Sequence, residues 1–252
     1  MIYLLLFLAI WVGVFRYDFC SKKSYNRETY YKYVLFFFII MSGLSYKVGS
    51  DINAYMAEFS IINYEDLLEV NFFSLSNRQP MWLLFENVCK TVINNFAFMK
   101  IVISIFVNVT LFRFFKDNSS YCFSAVLVYF FMMSFDVNFN ILRQSISMSF
   151  FLIAYSCLTK RKIFLAYTAI IMAIMFHNSA VVLLMIPVFS SINLYKHPRI
   201  IWSIAIILSL VVVFFVSYSE ILQGISMVMK SDELVSFAGI YDDNEYGASA
   251  IK

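Results

Sequence analysis

The feature that most constrains the fold is a series of apolar runs separated by short loops that contain most of the cations. The runs are Ile2–Phe15, Tyr33–Tyr46, Met99–Phe115, Tyr121–Phe135, Ile141–Leu158, Ile163–Phe176, Ser179–Leu194 and Ile200–Tyr218. A helix of about 20 mostly apolar residues crosses a bilayer. The whole chain is 62% apolar and only 14% charged, whereas soluble domains are about half apolar and a quarter charged. We therefore predict an all-α, polytopic integral membrane protein with about eight transmembrane helices.

A further apolar segment, Pro80–Ile93, is too short to cross as a helix. At about 1.5 Å per residue its fourteen residues extend only about 21 Å, against a hydrocarbon core of about 30 Å. Glu86, Asn87 and Lys90 also interrupt its apolar face. We predict one short re-entrant or interfacial helix here, which begins at Pro80.

The distribution of charge predicts the orientation. If Pro80–Ile93 does not cross, one side of the membrane receives twelve of the nineteen lysines and arginines but only three of the sixteen acids. The positive-inside rule makes that side cytoplasmic and places both termini outside. The predicted location is the inner (cytoplasmic) membrane, with multiple passes. In the absence of repeats or linkers, residues 1–252 are predicted to form one polytopic membrane domain.

Two polar positions on the predicted outer face stand out. Arg143 lies near the start of an apolar run beside Gln144, and a guanidinium keeps its charge and forks onto phosphate oxygens. The alternatives are an interfacial anchor or an ion pair with Asp136. His177 interrupts a long apolar stretch, and its imidazole can take a proton from a hydroxyl or bind a phosphate. The alternative is a polar turn between two spans.

A second polar segment follows the run Tyr33–Tyr46. Lys47 is a candidate anion ligand or an ordinary interfacial lysine, and Gly49 permits a close turn. Asp51 is a candidate functional carboxylate, although it is also placed to cap a helix at Ile52–Ile61. Arg78 offers another cation at the start of the Pro80 helix, where free amides favour anions.

Motifs for other chemistries do not occur. The chain contains no P-loop, no His-Glu-x-x-His, no dinucleotide fingerprint and no Asp-x-Asp motif. Its four cysteines are scattered without metal-ligand spacing. We expect no metal, no cofactor and no nucleic-acid partner.

Several of these segments resemble motifs of the EpsG-like proteins. The matching segments are Tyr46–Asp51 with Tyr55 (family pattern Arg-x-x-Gly-Thr-Asp…Tyr), Arg78–Pro80 with Phe85 (Glu-Pro-x-Phe), Asn140–Gln144 (arginine-glutamine) and Phe176–Ser179 (histidine-asparagine-serine). Lys47 replaces the usual arginine, and Gln79 replaces the usual glutamate. The resemblance covers roughly Tyr33–Pro187.

EpsG-like proteins are similar to the Wzy-type O-antigen and exopolysaccharide polymerases of bacteria. The resemblance implies a glycosyltransferase of lipopolysaccharide or other polysaccharide biosynthesis, which joins oligosaccharide units carried on undecaprenyl pyrophosphate at the periplasmic face of the inner membrane. The implied partners are this lipid-linked oligosaccharide and membrane lipid, with a chain-length regulator as a candidate. It also implies a longer chain with more spans, so we expect this sequence to be truncated at its C-terminus.

On this interpretation the catalytic candidates are His177, Arg143 and Asp51. Arg143 would bind the pyrophosphate, with Lys47, Arg78 and Gln144 as further ligands. His177 would act either as the base or as a second phosphate ligand. The alternatives are an O-antigen ligase or other lipid-linked glycosyltransferase, a lipid-linked oligosaccharide transporter, a sugar acyltransferase and a non-catalytic scaffold. A transporter would place charges near the middle of several spans.

Overall fold

The structure, a computed structural model, describes residues 2–20, 26–62 and 79–187, together with Ser203 and Ile206. The chain divides into two compact units, Met1–Glu69 with Pro80–Pro187, and Val70–Gln79 with Val188–Lys252. Of the second unit, only Gln79 and the helical residues Ser203 and Ile206 are described. Arg78 and most of the predicted span Ile200–Tyr218 therefore lie outside the described residues. The single domain stays a prediction.

The described part of the first unit is helical, with no strand. Its α-helices are α1 Ile2–Gly13, α2 Arg27–Gly43, α3 Ile52–Ile61, α4 Pro80–Val92, α5 Phe96–Asn118, α6 Cys122–Met132, α7 Leu142–Thr159 and α8 Ile163–Phe176. Two π-helical stretches, Val14–Phe19 and Asp136–Asn140, follow α1 and α6, and a 3-10 helix, Asn178–Leu184, follows α8. The predicted all-α class is confirmed for these residues.

The lengths of the helices bear on the number of membrane spans. Within the described residues, α5 is the one helix long and apolar enough to cross a bilayer. The shorter apolar helices are Cys122–Met132, Ile163–Phe176 and Asn178–Pro187. The count of about eight spans therefore stays a prediction.

The long helices pack as a bundle in which α2 and α8 run in one direction and α5 and α7 run in the other. α2 packs on α5, α5 on α7, and α7 on α8. The motif end of this bundle is where α2 and α8 finish and α5 and α7 begin, and the basic end is the opposite one. Lys100, near the start of α5, donates to the Ser45 carbonyl just after α2 (2.9 Å). Lys116, near the end of α5, contacts Glu28 at the start of α2 (2.9 Å).

Helix α4 lies alongside α3. Trp82 near its start packs on Tyr55, with ring centroids 5.5 Å apart. Near its other end, Lys90 donates to the carbonyls of Phe59 and Ile62 (3.0 and 2.6 Å), where α3 finishes. These bonds satisfy carbonyls that the last turn of a helix leaves unpaired. Both ends of α4 are thus held by one short helix. Its re-entrant or interfacial placement stays a prediction.

Small and polar side chains let α2 and α5 approach closely. A Cβ at Gly43 would lie 3.2 Å from Ile101 Cα, so a larger residue there would push the helices apart. Deeper in the same contact, Ser42 and Ser104 form a hydrogen bond, and Asn108 donates to Asn138 (2.8 Å). Such contacts are typical of helices that associate in a membrane. This chain of polar groups connects the bundle core to the π-helical stretch Asp136–Asn140.

Candidate functional site

The loop after α2 is pressed against the π-helical stretch Asp136–Asn140. Gly49 has a φ of 116°, a conformation that side chains disfavour. A Cβ at this position would overlap the carbonyl oxygen of Phe139 and would lie 2.9 Å from Asn140 Oδ1. The next amide, that of Ser50, donates to Asn140 Oδ1 (2.9 Å). The glycine motif, Tyr46–Asp51, therefore contacts the segment that leads into Arg143.

Asp51 begins α3 but does not cap it through its side chain. Helix α3 runs from Ile52 to Ile61 as predicted, yet the Asp51 carboxylate makes no capping bond. It accepts instead from the Ser50 hydroxyl (2.8 Å) and is exposed. The capping alternative is therefore wrong for the side chain. The carboxylate remains accessible at the motif end.

Arg143 is the second residue of α7, and its side chain is half-buried. Its guanidinium carbon lies 5.7 Å from the ring centroid of Tyr55, within the range of a cation–π interaction. Tyr55 is itself buried and follows Asp51 by one helical turn, so both residues lie on the same face of α3. Tyr55, which follows the glycine motif, thus contacts the side chain of Arg143. Tyr55 carries no predicted site role, although its i, i+4 spacing from Asp51 is visible in the sequence.

His177 follows α8 directly and is half-buried. The preceding residue, Phe176, stacks on Phe150 of α7 (5.6 Å) and contacts Phe85 of α4 (6.3 Å), which fixes the end of α8. Burial lowers the pKa of His177, and the positive charge of Arg143 lowers it further. Both effects favour the neutral imidazole. The charge of Arg143 acts on His177, and both residues lie at the motif end of the bundle.

Two buried polar atoms beside these residues have no hydrogen-bond partner within the described part of the chain. One is Nδ1 of His177, and the other is the indole Nε1 of Trp82, whose ring packs on Tyr55. Buried polar groups are normally paired, because leaving one unpaired costs about 1–3 kcal/mol. These atoms could therefore pair with polar groups of a bound ligand. Trp82 was a missed site residue, since the sequence marks it only as apolar.

The other predicted ligands are more peripheral. Gln144 is exposed beside Arg143. Lys47 is exposed, with a φ of 51°, and its ammonium lies 5.4 Å from the ring centroid of its neighbour Tyr46. Arg78 lies outside the described residues. Within the described residues no group of His, Cys, Asp or Glu side chains could hold a metal ion.

Lys100 is a buried cation that the sequence analysis did not single out. It is only 2% exposed and donates to the Ser45 carbonyl. Its ammonium also lies 5.4 Å from the ring centroid of Phe139, the residue that contacts Gly49. It forms no ion pair with an acid within the described residues. A lone lysine in an apolar run was the available signal. Lys100 therefore places a positive charge next to the loop after α2 and next to Phe139, which that loop contacts.

One comparison with known families found a match. The sequence model of the EpsG family matches residues 28–251. The matched region contains the glycine motif, α4, Arg143 and His177. A comparison with curated proteins found no match, and a comparison with solved structures found none either.

Proposed function

The chain belongs to the EpsG family, and from this membership we propose that it is a membrane-bound polysaccharide polymerase. It would join oligosaccharide units that are carried on undecaprenyl pyrophosphate. The observation that carries the proposal is that a permanent cation, Arg143, and an imidazole with a lowered pKa, His177, lie at the same end of the bundle. A reaction between a lipid pyrophosphate donor and a sugar hydroxyl needs these two kinds of group.

The reaction would be a displacement at the anomeric carbon of the donor. The acceptor hydroxyl oxygen forms the new bond to this carbon, and the bond from the carbon to the pyrophosphate oxygen breaks. The leaving lipid pyrophosphate takes the electron pair, and the hydroxyl proton goes to His177. No nucleotide is consumed, because the phosphoester already activates the sugar. The protein's contribution is orientation and stabilisation of the charge that grows on the leaving group.

Arg143 is suited to the pyrophosphate because a guanidinium can contact two phosphate oxygens at once. It lies in the first turn of α7, where the free backbone amides and the helix dipole also favour an anion. Lys47, Arg78 and Gln144 are further proposed ligands. Asp51, which is exposed and held by Ser50, would orient the acceptor.

A neutral His177 can accept a proton, whereas an imidazolium cannot. The lowered pKa of His177 therefore supports the role of base. The alternative role, as a phosphate ligand, would be served better by a protonated ring. The two roles predict opposite pH dependence of activity: a base is lost as the pH falls, and a cationic ligand is lost as it rises.

The proposed orientation places the motif end outside the cytoplasm. Cations concentrate at the basic end, where the described residues include Arg27, Lys32, Arg113, Lys116 and Lys160–Lys162. The positive-inside rule assigns that end to the cytoplasm. The donor and acceptor lipids would then meet at the periplasmic surface of a bacterial inner membrane, in a protein of about eight spans.

The test is complementation of a strain that lacks the chromosomal copy, with the length distribution of the polysaccharide measured on a gel. Arg143→Gln and His177→Ala should reach the membrane in normal amounts but yield only single-repeat product. Arg161→Gln is the matched control, because it removes an exposed arginine from the basic end. Full-length chains from both site variants would refute the mechanism. Long chains that stay on the lipid carrier would indicate a ligase instead.

A further inference from the structure

A cavity of about 320 Å³ opens at the basic end, among α5, α7 and α8. We call it the basic cavity. Three cations line it, Arg113 from α5 and Lys160 and Lys162 from the turn between α7 and α8. The rest of the lining is mostly apolar and includes Leu152 and Leu165. It lies at the other end of the helices from Arg143 and His177, so it is separate from the proposed polymerase site.

The cations of the basic cavity are poorly neutralised. One acid, Asp117, lines the cavity and lies 3.8 Å from Arg113, but both side chains are largely exposed, so this pair is weak. Lys160 and Lys162 form no ion pair with any acid in the described ranges. The cavity therefore carries a net charge of about two positive units and favours an anion.

A neighbouring cavity at the same end shows the opposite arrangement. It measures about 450 Å³, and its two cations are Arg27 and Lys116. Arg27 contacts Asp18 (3.4 Å), and Lys116 contacts Glu28 (2.9 Å). These cations are already matched by acids, so this cavity offers no comparable site for an anion. The excess of charge in the basic cavity is thus a local property and not shared by the whole end.

The turn between α7 and α8 determines which cations reach the basic cavity. Arg161 has a φ of 58°, and its amide donates to the Leu158 carbonyl (2.9 Å), while the amide of Lys162 donates to the Cys157 carbonyl (2.9 Å). These two bonds form a Schellman motif, which reverses the chain at the end of a helix. As a result Lys160 and Lys162 line the cavity, whereas Arg161 between them does not.

We propose that the basic cavity binds the phosphate of an anionic phospholipid, with the start of an acyl chain against its apolar wall. The combination of a cationic rim and an apolar wall fits an amphiphile, whereas free phosphate would leave that wall in contact with water. Basic pockets between helices at the cytoplasmic surface of a membrane bind such headgroups. The hydroxyls of Thr110 and Ser156 already donate to backbone carbonyls, so binding depends on the cations.

The experiment measures phosphatidylglycerol and phosphatidylcholine bound to the purified full chain by native mass spectrometry. The Lys160→Gln, Lys162→Gln double variant should lose roughly 25-fold in phosphatidylglycerol affinity, since each cation near an anionic surface contributes about fivefold. Lys160→Gln and Lys162→Gln alone should each lose about fivefold, and the matched control for them is Arg161→Gln, which removes one charge from the same turn but outside the cavity. It should bind within about twofold of the unmodified protein.

Charge-preserving substitution separates binding from misfolding. A Lys160→Arg, Lys162→Arg variant should retain phosphatidylglycerol binding, and phosphatidylcholine should bind weakly to every variant. Equal losses in Arg161→Gln and in either single lysine variant would overturn the proposal, because binding would then follow overall charge. Displacement of the lipid by millimolar inorganic phosphate would also overturn it, since the ligand would be a free anion. Neither result would bear on the polymerase site.

Discussion

Substitution of Gly49 by alanine should separate the loop after α2, which we call the docked loop, from the π-helical stretch Asp136–Asn140. The new Cβ would overlap the Phe139 carbonyl oxygen and lie 2.8 Å from its carbon. Ordinary contacts between carbon atoms are about 3.5–4.0 Å, so the loop must move by about 0.7 Å or more. That shift stretches the 2.9 Å bond from the Ser50 amide to Asn140 beyond the usual limit of about 3.2 Å.

The cost of this substitution has two parts. A side chain at a φ of 116° adds about 1–3 kcal/mol of strain. Loss of the hydrogen bond to Asn140 adds about 0.5–1.5 kcal/mol. The docked loop is therefore disfavoured by about 1.5–4.5 kcal/mol, which corresponds to a shift of roughly 10- to 2,000-fold toward the undocked state. Since α3 and Tyr55 follow this loop directly, the Tyr55 ring that contacts Arg143 would move with it.

The assay compares polysaccharide length and thermal stability for Gly49→Ala and Gly43→Ala. Gly43 lies at the end of α2 with an ordinary φ, and a Cβ there would press on Ile101. Gly43→Ala should lower the unfolding temperature by separating α2 from α5, yet it should leave the loop docked and the long polysaccharide chains present. Gly49→Ala should abolish long chains with a smaller change in the unfolding temperature. Normal chain length in Gly49→Ala would refute the reasoning.

Three further outcomes are expected. In a His197→Gln background, His177 is the one remaining histidine. Its modification by diethyl pyrocarbonate needs a neutral imidazole, so the rate of modification should be half-maximal below pH 6.5. Arg143→Gln should move this midpoint upward, because a cation that lowers the pKa of His177 is gone. Lys100→Met should lower the free energy of unfolding by about 1–3 kcal/mol, because the Ser45 carbonyl loses its donor; thermal denaturation in detergent measures this change. Arg161→Gly should raise the same quantity by about 1 kcal/mol, because glycine adopts a φ of 58° without strain; an unchanged value would argue against strain at that turn.

The bounds of a helix were predictable where its apolar run begins and ends at the same residues as the helix. The helices Ile52–Ile61 and Ile163–Phe176 have the predicted bounds. In contrast, α2 begins at Arg27, six residues before the predicted apolar run at Tyr33. Its first turn is polar and is held by contacts of Glu28 with Lys32 and Lys116 (3.6 and 2.9 Å). Hydropathy detects the apolar part of such a helix and not its charged start.

The candidate site was predictable in its residue types but not in its contacts. Arg143 and His177 were selected as rare polar groups in apolar surroundings, a local property of the sequence. The docking of Gly49 on Phe139 joins residues 90 positions apart and depends on the π-helical turn before α7. That turn is fixed by side-chain bonds such as Asn138 to Tyr129 (2.9 Å), which no periodicity reveals. The position of Lys100 in an apolar run was visible in the sequence, but its contacts with Ser45 and Phe139 were not.

The pairing of Arg143 with His177 has a chemical consequence for the proposed reaction. An arginine charge beside an imidazole lowers the pKa of that imidazole and makes it a weaker base in the empty site. A pyrophosphate bound at Arg143 would offset the charge, so the pKa of His177 would rise when the donor is present. The base would then be strongest only in the occupied site. A lysine at position 143 would keep the charge but lose the two-point contact with phosphate, so Arg143→Lys should impair donor binding more than it alters His177.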